Sequence, residues 1–121
     1  MLKSITMHKI AVYGSLRQGE YNFERMSYIG DIQYETTTTI QGWDLYSLGM
    51  YPAIKKGTGT IVVDILNVGD EVLDFIRGME FGAGYHEETV NVDGQDCFIY
   101  VYNYELSRNQ VLSGDWKKQN D

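Results

Sequence analysis

Apolar positions change period several times along this chain, and each change marks an element. The short run His8 to Val12 reads as a buried strand. From Glu20 to Ile29 the spacing is helical, with Phe23 and Met26 turned inward, Ser27 at the margin of that face, and Gly30 as the stop. Asp31 to Ile40 contains Thr36 to Thr39, a β-branched run that predicts extended strand, and Gly42 then breaks the pattern. Trp43 to Gly49 alternates as a strand does, and Met50 to Ile54 crosses Pro52, the only proline, which predicts a constrained turn.

Past Gly57 and Gly59, Thr60 to Leu66 is β-branched enough for a central strand, and Asn67 opens a helical pattern. Val72, Phe75, Ile76 and Met79 share one face of that helix. Asp70 and Glu71 lie in its first turn and Arg77 near its last, the order that complements a helix dipole. Two further strands, Tyr85 to Val92 and Gln95 to Tyr104, are joined by Asp93-Gly94, a strong two-residue hairpin signal, with Tyr100, Tyr102 and Tyr104 alternating on one face. In the polar tail from Glu105, Trp116 is expected to anchor the chain through its large ring and Lys117 onward to fray. With no internal repeat or linker, residues 1–121 are expected to form a single mixed α/β domain with more strand than helix.

Composition narrows the classes of function. Apolar residues at 43% and charged residues at 22% suit a globular protein, and no apolar run approaches the roughly 20 residues of a bilayer span. Lys3, His8 and Lys9 near the N-terminus are not followed by a signal-peptide core, and the lone Cys97 has no internal partner, so a cytoplasmic location without membrane association is expected. Seventeen acidic against ten basic residues give a net charge of −7, which opposes binding to a phosphate backbone and argues against a nucleic-acid partner. Most of the ten tyrosines are accounted for by sheet packing.

Two places carry candidate chemistry. Tyr13-Gly14-Ser15-Leu16-Arg17-Gln18-Gly19 follows the first strand directly. Glycines at both ends permit positive φ, so successive N–H groups can converge on a carboxylate or oxyanion; the plainer reading is a turn that only reverses the chain. The second is Glu80, placed among Met79, Phe81 and Gly82-Ala83-Gly84. A carboxylate between apolar neighbours has its pKa raised by desolvation, which suits a proton carrier; the plainer reading is an exposed acid at a helix end. Other chemistries fit poorly. Gly14 and Gly19 have the spacing of a phosphate loop, but Glu20 and Tyr21 stand where Lys and Ser or Thr are needed. Ser15 lacks a nucleophile elbow and an identifiable triad, His8, His86 and Cys97 lack zinc-ligand spacing, and Cys97 reads as a small buried hydrophobe.

Four blocks together resemble the γ-glutamylcyclotransferase-like, or AIG2-like, family. Tyr13 to Gly19 with Asn22 is similar to its opening Tyr-Gly-Ser/Thr-Leu-Arg-x-Gly loop and downstream Asn. Leu45 to Ala53 resembles its Leu-Tyr-x-Leu-Gly-x-Tyr-Pro-Ala segment, Met79-Glu80 with Tyr85 its catalytic Glu and following Tyr, and Ser113-Gly114-Asp115-Trp116 its closing element. The resemblance implies a mixed α/β (α+β) fold, a small curved β-barrel with a few flanking helices. It also implies cyclisation of a γ-glutamyl compound or γ-glutamylamine to 5-oxoproline with no cofactor. Glu80 would be general base and then acid, Gly14, Ser15 and Leu16 would hold the glutamyl end, and Tyr13 and Tyr85 would shape the pocket and hydrogen-bond. The alternative is a non-catalytic binding or interaction module that keeps the pocket. Three positions depart from the family pattern: Arg77 replaces a frequent Asp, Glu87 a frequent Arg and Phe23 a frequent His. On charge alone, Glu87 and Glu88 either repel an anionic substrate or favour a cationic leaving amine, and Arg77 is free to pair with an acid.

Overall fold

The computed structural model describes residues 6–118. Its elements run β1 (His8–Val12), α1 (Tyr21–Ser27), β2 (Ile32–Ser47), β3 (Pro52–Val68), α2 (Asp70–Gly82), β4 (Tyr85–Val92) and β5 (Gln95–Tyr102), closing on a 3-10 turn, Trp116–Lys118. Lys3 and the last three residues of the expected frayed tail lie outside the described residues; Lys117 and Lys118 lie within the 3-10 turn.

The strands form one five-stranded sheet in the order β2-β3-β1-β5-β4, with β1 antiparallel to β3 and parallel to β5. The long hairpin β2-β3 curls at two irregularities of register: β2 carries an extra residue, Glu35, between Tyr34 and Thr36, and β3 carries the extra residues between Lys56 and Thr60, opposite Gln41 to Trp43. Opposite the second bulge stands Gly42, at φ +94°, a conformation that favours glycine. The break expected at Gly42 is therefore a bend inside a continuous strand. Curling brings the sheet's edges together: Thr39, Ile40, Gln41 and Trp43 of β2, Val90 to Val92 of β4 and Asp93 of the turn after it line one small cavity, and Ile40 and Val90 pack against the same interior cluster.

Strict alternation splits the core in two. Ile61, Val63 and Ile65 of β3 and Cys97, Ile99 and Val101 of β5 point into the concave interior. Leu66 and Val68, with Ile10 and Val12 of β1 and Tyr100, point to the opposite face, where Met26 of α1 and Val72, Leu73 and Ile76 of α2 cover them. Trp116 is buried in the concave cluster beside Trp43, as expected of an anchor. Asp93 and Gly94 both take positive φ, 50° and 88°, which makes the expected two-residue hairpin turn.

Several local expectations are corrected by packing. Ser27 is exposed, its hydroxyl turned back to the Glu24 carbonyl, whereas Asn22 is buried. Asn67 belongs to β3, and α2 starts at Asp70 with Gly69 before it. Leu73 takes the inward place expected of Phe75, which is 42% exposed. Arg77 lies mid-helix, and the last turn of α2 holds no base. Tyr104 lies beyond β5 and is exposed, though its ring still meets Tyr102 edge-to-face at 5.4 Å.

Candidate active site

A cavity of about 740 Å³ opens where β1 ends, bounded by the loop after it, α1, the β2-β3 turn and the end of α2. Tyr13, Gly14, Ser15, Leu16, Glu80 and Tyr85, the six residues singled out in the sequence, all line it.

The loop is shaped by contacts from distant parts of the chain. Of its two glycines only Gly19 takes positive φ, +85°. Gly14 is required for another reason: a Cβ there would lie 2.3 Å from Pro52 Cγ. Asp64, buried in β3, accepts hydrogen bonds from the Gln18 amide at 2.8 Å and the Thr37 hydroxyl at 2.8 Å. Its Oδ1 also lies 3.3 Å from Arg17 Nε, near enough for charge attraction but not aligned for a hydrogen bond. Arg17 Nη1 donates to Asp115 at 2.8 Å. Asn22 clasps the loop from α1: its amide N–H donates to the Ser15 carbonyl at 3.0 Å and its Nδ2 to Ser15 Oγ at 2.7 Å. The Ser15 and Leu16 amides donate to no acceptor among the described residues, which leaves two N–H groups of the loop unused.

Glu80 lies inside α2 rather than beyond it, and is half-buried. Its carboxylate makes no hydrogen bond or ion pair among the described residues. Burial without compensation raises it from its ordinary 4.5 to about 7. Burial also raises the hydroxyls of Tyr13, Tyr85 and Tyr100, and the negative charge of Glu80 adds to the rise in all three. Those rings wall the carboxylate as neutral groups. Tyr13 donates to the Tyr100 carbonyl and Tyr85 to the Pro52 carbonyl, each at 2.6 Å, so both hydroxyls brace the wall and keep only acceptor capacity for a ligand.

The two charge departures answer each other. Arg77 grips Glu87 through two parallel bonds, Nε to Oε1 at 2.8 Å and Nη2 to Oε2 at 3.0 Å, and Tyr100 donates to the same carboxylate at 3.0 Å. Glu87 thus braces the outer side of a wall residue and does not line the cavity. Sequence reasoning placed Asn22 in the family's opening block without giving it a role, and missed Arg25, Tyr100 and Asp64. Asp64 had a signal, a single acid inside the apolar run Thr60 to Leu66; Arg25 and Tyr100 had none. Among the described residues, no group of three His, Cys, Asp or Glu side chains converges as metal ligands do, and no helix is long and apolar enough to cross a membrane.

The curled five-stranded sheet with its two helices is a fold seen in solved structures. The crystal structure of the uncharacterized protein PH0828 from Pyrococcus horikoshii matches with a TM-score of 0.81 at 26% identity, over 92% of this chain and 91% of that one. An AIG2-like protein from Mus musculus shares the fold, with a TM-score of 0.69 at 23% identity over 82% and 80% of the two chains. In sequence, the gamma-glutamylcyclotransferase family protein YtfP of Escherichia coli strain K12 is 28% identical over 110 residues, 89% of this chain and 95% of the relative. The family model described as gamma-glutamyl cyclotransferase, AIG2-like, matches residues 10–118. The chain belongs to the AIG2-like gamma-glutamyl cyclotransferase family.

Proposed function

We propose that the protein is a γ-glutamyl cyclotransferase that releases 5-oxoproline and an amine from a γ-glutamyl substrate, with Glu80 carrying the proton. The observation that supports this most is the Glu80 carboxylate: half-buried, unpaired among the described residues and raised to about 7, in the same cavity as two unused loop amides. Nucleophile and electrophile belong to one substrate, so a cavity that holds the glutamyl group in a ring-ready conformer contributes much of the rate. Glu80 accepts a proton from the α-ammonium, the freed amine attacks the γ-carbonyl carbon, and the amides of Ser15 and Leu16 receive the developing oxyanion. Glu80 returns that proton to the leaving nitrogen as the C–N bond breaks, then takes the second proton from the ring nitrogen and passes it to the departing amine, which leaves as the ammonium. Protons balance, and neither water nor cofactor is consumed.

The test is detection of 5-oxoproline by mass spectrometry after incubation with γ-glutamyl amino acids, γ-glutamylamines and ε-(γ-glutamyl)lysine. Wild type forms product, and Glu80→Gln loses roughly 10²- to 10⁴-fold in kcat while keeping its fold and ligand affinity. Full activity of Glu80→Gln overturns the assignment of the proton carrier. Capture of a γ-glutamyl ligand with no product from wild type overturns the reaction and identifies a binding module.

A further inference from the structure

The acids that made a cationic leaving amine attractive in the sequence do not face the cavity. Glu87 is neutralised by Arg77, and Glu88 is bonded to His86 at 2.7 Å with Lys56 at 4.0 Å. Neither lines the cavity, whose charged side chains among the described residues are Glu80 and Arg25. Glu80 belongs to the half-buried wall. Arg25 is exposed, as are Tyr21, Met50 and Tyr51, at 72%, 82% and 59%, and these four define the mouth.

Arg25 is oriented and unspent. Its Nη1 donates to Asn22 Oδ1 at 3.3 Å, and its guanidinium stands 5.6 Å from the centre of the Tyr21 ring one turn earlier on α1. It pairs with no carboxylate among the described residues, unlike Arg17 and Arg77. A guanidinium held on its helix with its remaining donors open suits a carboxylate, and the side chains beside it offer apolar and aromatic surface.

We infer that Arg25 is a specificity-determining residue that selects, at the cavity mouth, a leaving amine bearing both a carboxylate and a large apolar side chain. The favoured substrate is then a γ-glutamyl derivative of an apolar or aromatic α-amino acid, and not of a polyamine or a lysine side chain. This rests on the proposed reaction for its orientation: the glutamyl end lies inside against the Ser15 and Leu16 amides, so the second carboxylate lies at the mouth.

The test compares γ-glutamylphenylalanine with γ-glutamylphenethylamine, which differ by the one carboxylate. Wild type should favour the former in kcat/KM by about tenfold or more, the range of one charge-assisted hydrogen bond. Arg25→Leu should bring that ratio close to one, mainly through KM, and Arg25→Lys should restore part of it. Equal wild-type efficiency on the two substrates overturns the inference. So does an Arg25→Leu loss of the same factor on both, which would assign the guanidinium to the glutamyl carboxylate or to the fold. Calorimetric Kd values for both compounds, with and without Arg25→Leu, separate this from the reaction itself. A carboxylate preference in Kd that Arg25→Leu abolishes supports the inference even where no 5-oxoproline forms, whereas 5-oxoproline formed without the preference overturns the inference and leaves the reaction standing.

Discussion

The inner wall of the cavity and its mouth are built on opposite physical terms. Inside, Tyr13, Tyr85 and Tyr100 are buried, their hydroxyls are all committed, and the loop beside them is tied down by Asp64, Arg17, Asp115 and Asn22. At the mouth, Tyr21, Met50 and Tyr51 stand exposed, and Arg25 is held only by its own helix. A rigid, dry wall can hold one geometry and shift a carboxyl's pKa, while an exposed rim can change chemistry without unsettling the fold. The difference separates the proposed reaction centre from the part of the molecule free to change its ligand contacts.

The comparison breaks first, and most severely, at Asp64. Asp64→Ala leaves Arg17 buried with one acid, Asp115, and removes the acceptor of Gln18 and Thr37, so unfolding in denaturant should show a loss of about 3–5 kcal/mol. Substitutions at Tyr21 or Met50 should change stability by less than about 0.5 kcal/mol.

Glu80 gives the wall a dependence on pH that the mouth lacks. Its folded-state pKa, about 7, lies above the ordinary 4.5, so folding favours the protonated form. That stabilisation is complete below about pH 4.5 and is lost as pH rises through about 7, a span worth roughly 3 kcal/mol. Activity should move the other way: as the base ionises, kcat/KM should climb through about pH 7. Glu80→Gln should flatten the stability profile over this interval, and a stability profile unchanged by that substitution would place the carboxylate in water.

Gly14→Val meets Pro52 where even a Cβ would lie at 2.3 Å, so it should cost about 1–3 kcal/mol and weaken ligand binding by displacing the loop; wild-type affinity in calorimetry would show that the loop only reverses the chain. Within the wall, the smallest effect belongs to the brace behind Tyr100. Arg77→Ala should cost about 1–2 kcal/mol, and the exchange Arg77→Glu with Glu87→Arg should recover most of it in a double-mutant cycle.

Much of this was legible along the chain because it depends on local rules. The Asp93-Gly94 turn, the alternation of β3 and β5, the helical spacing of Val72 and Ile76 and the buried ring of Trp116 follow from backbone preference and periodicity. Where periodicity competed with packing, it failed. Phe75 and Leu73 both satisfy a helical stripe, and only the curve of the sheet chose Leu73; Gly42 ends a propensity pattern, yet β2 runs on through it opposite a bulge in β3. The candidate site divides in the same way. Glu80 among apolar and glycine neighbours and the loop Tyr13 to Gly19 could be picked out from composition and order, whereas Arg25 and Tyr100 look like any surface base and any strand tyrosine until the cavity forms.

The sequence by itself determined the kinds of element, the hairpin turn, the loop that can offer its amides and the carboxylate of Glu80 set among apolar and glycine neighbours, because each depends on neighbours within a few residues. Only the tertiary structure decided that Gly14 is needed to admit Pro52, that Asp64 ties the loop, that Arg77 and Glu87 cancel, and that Arg25 is the cation at the cavity among the described residues. Those outcomes depend on strand register and on the closing of a curled sheet, which bring together side chains that no local pattern connects.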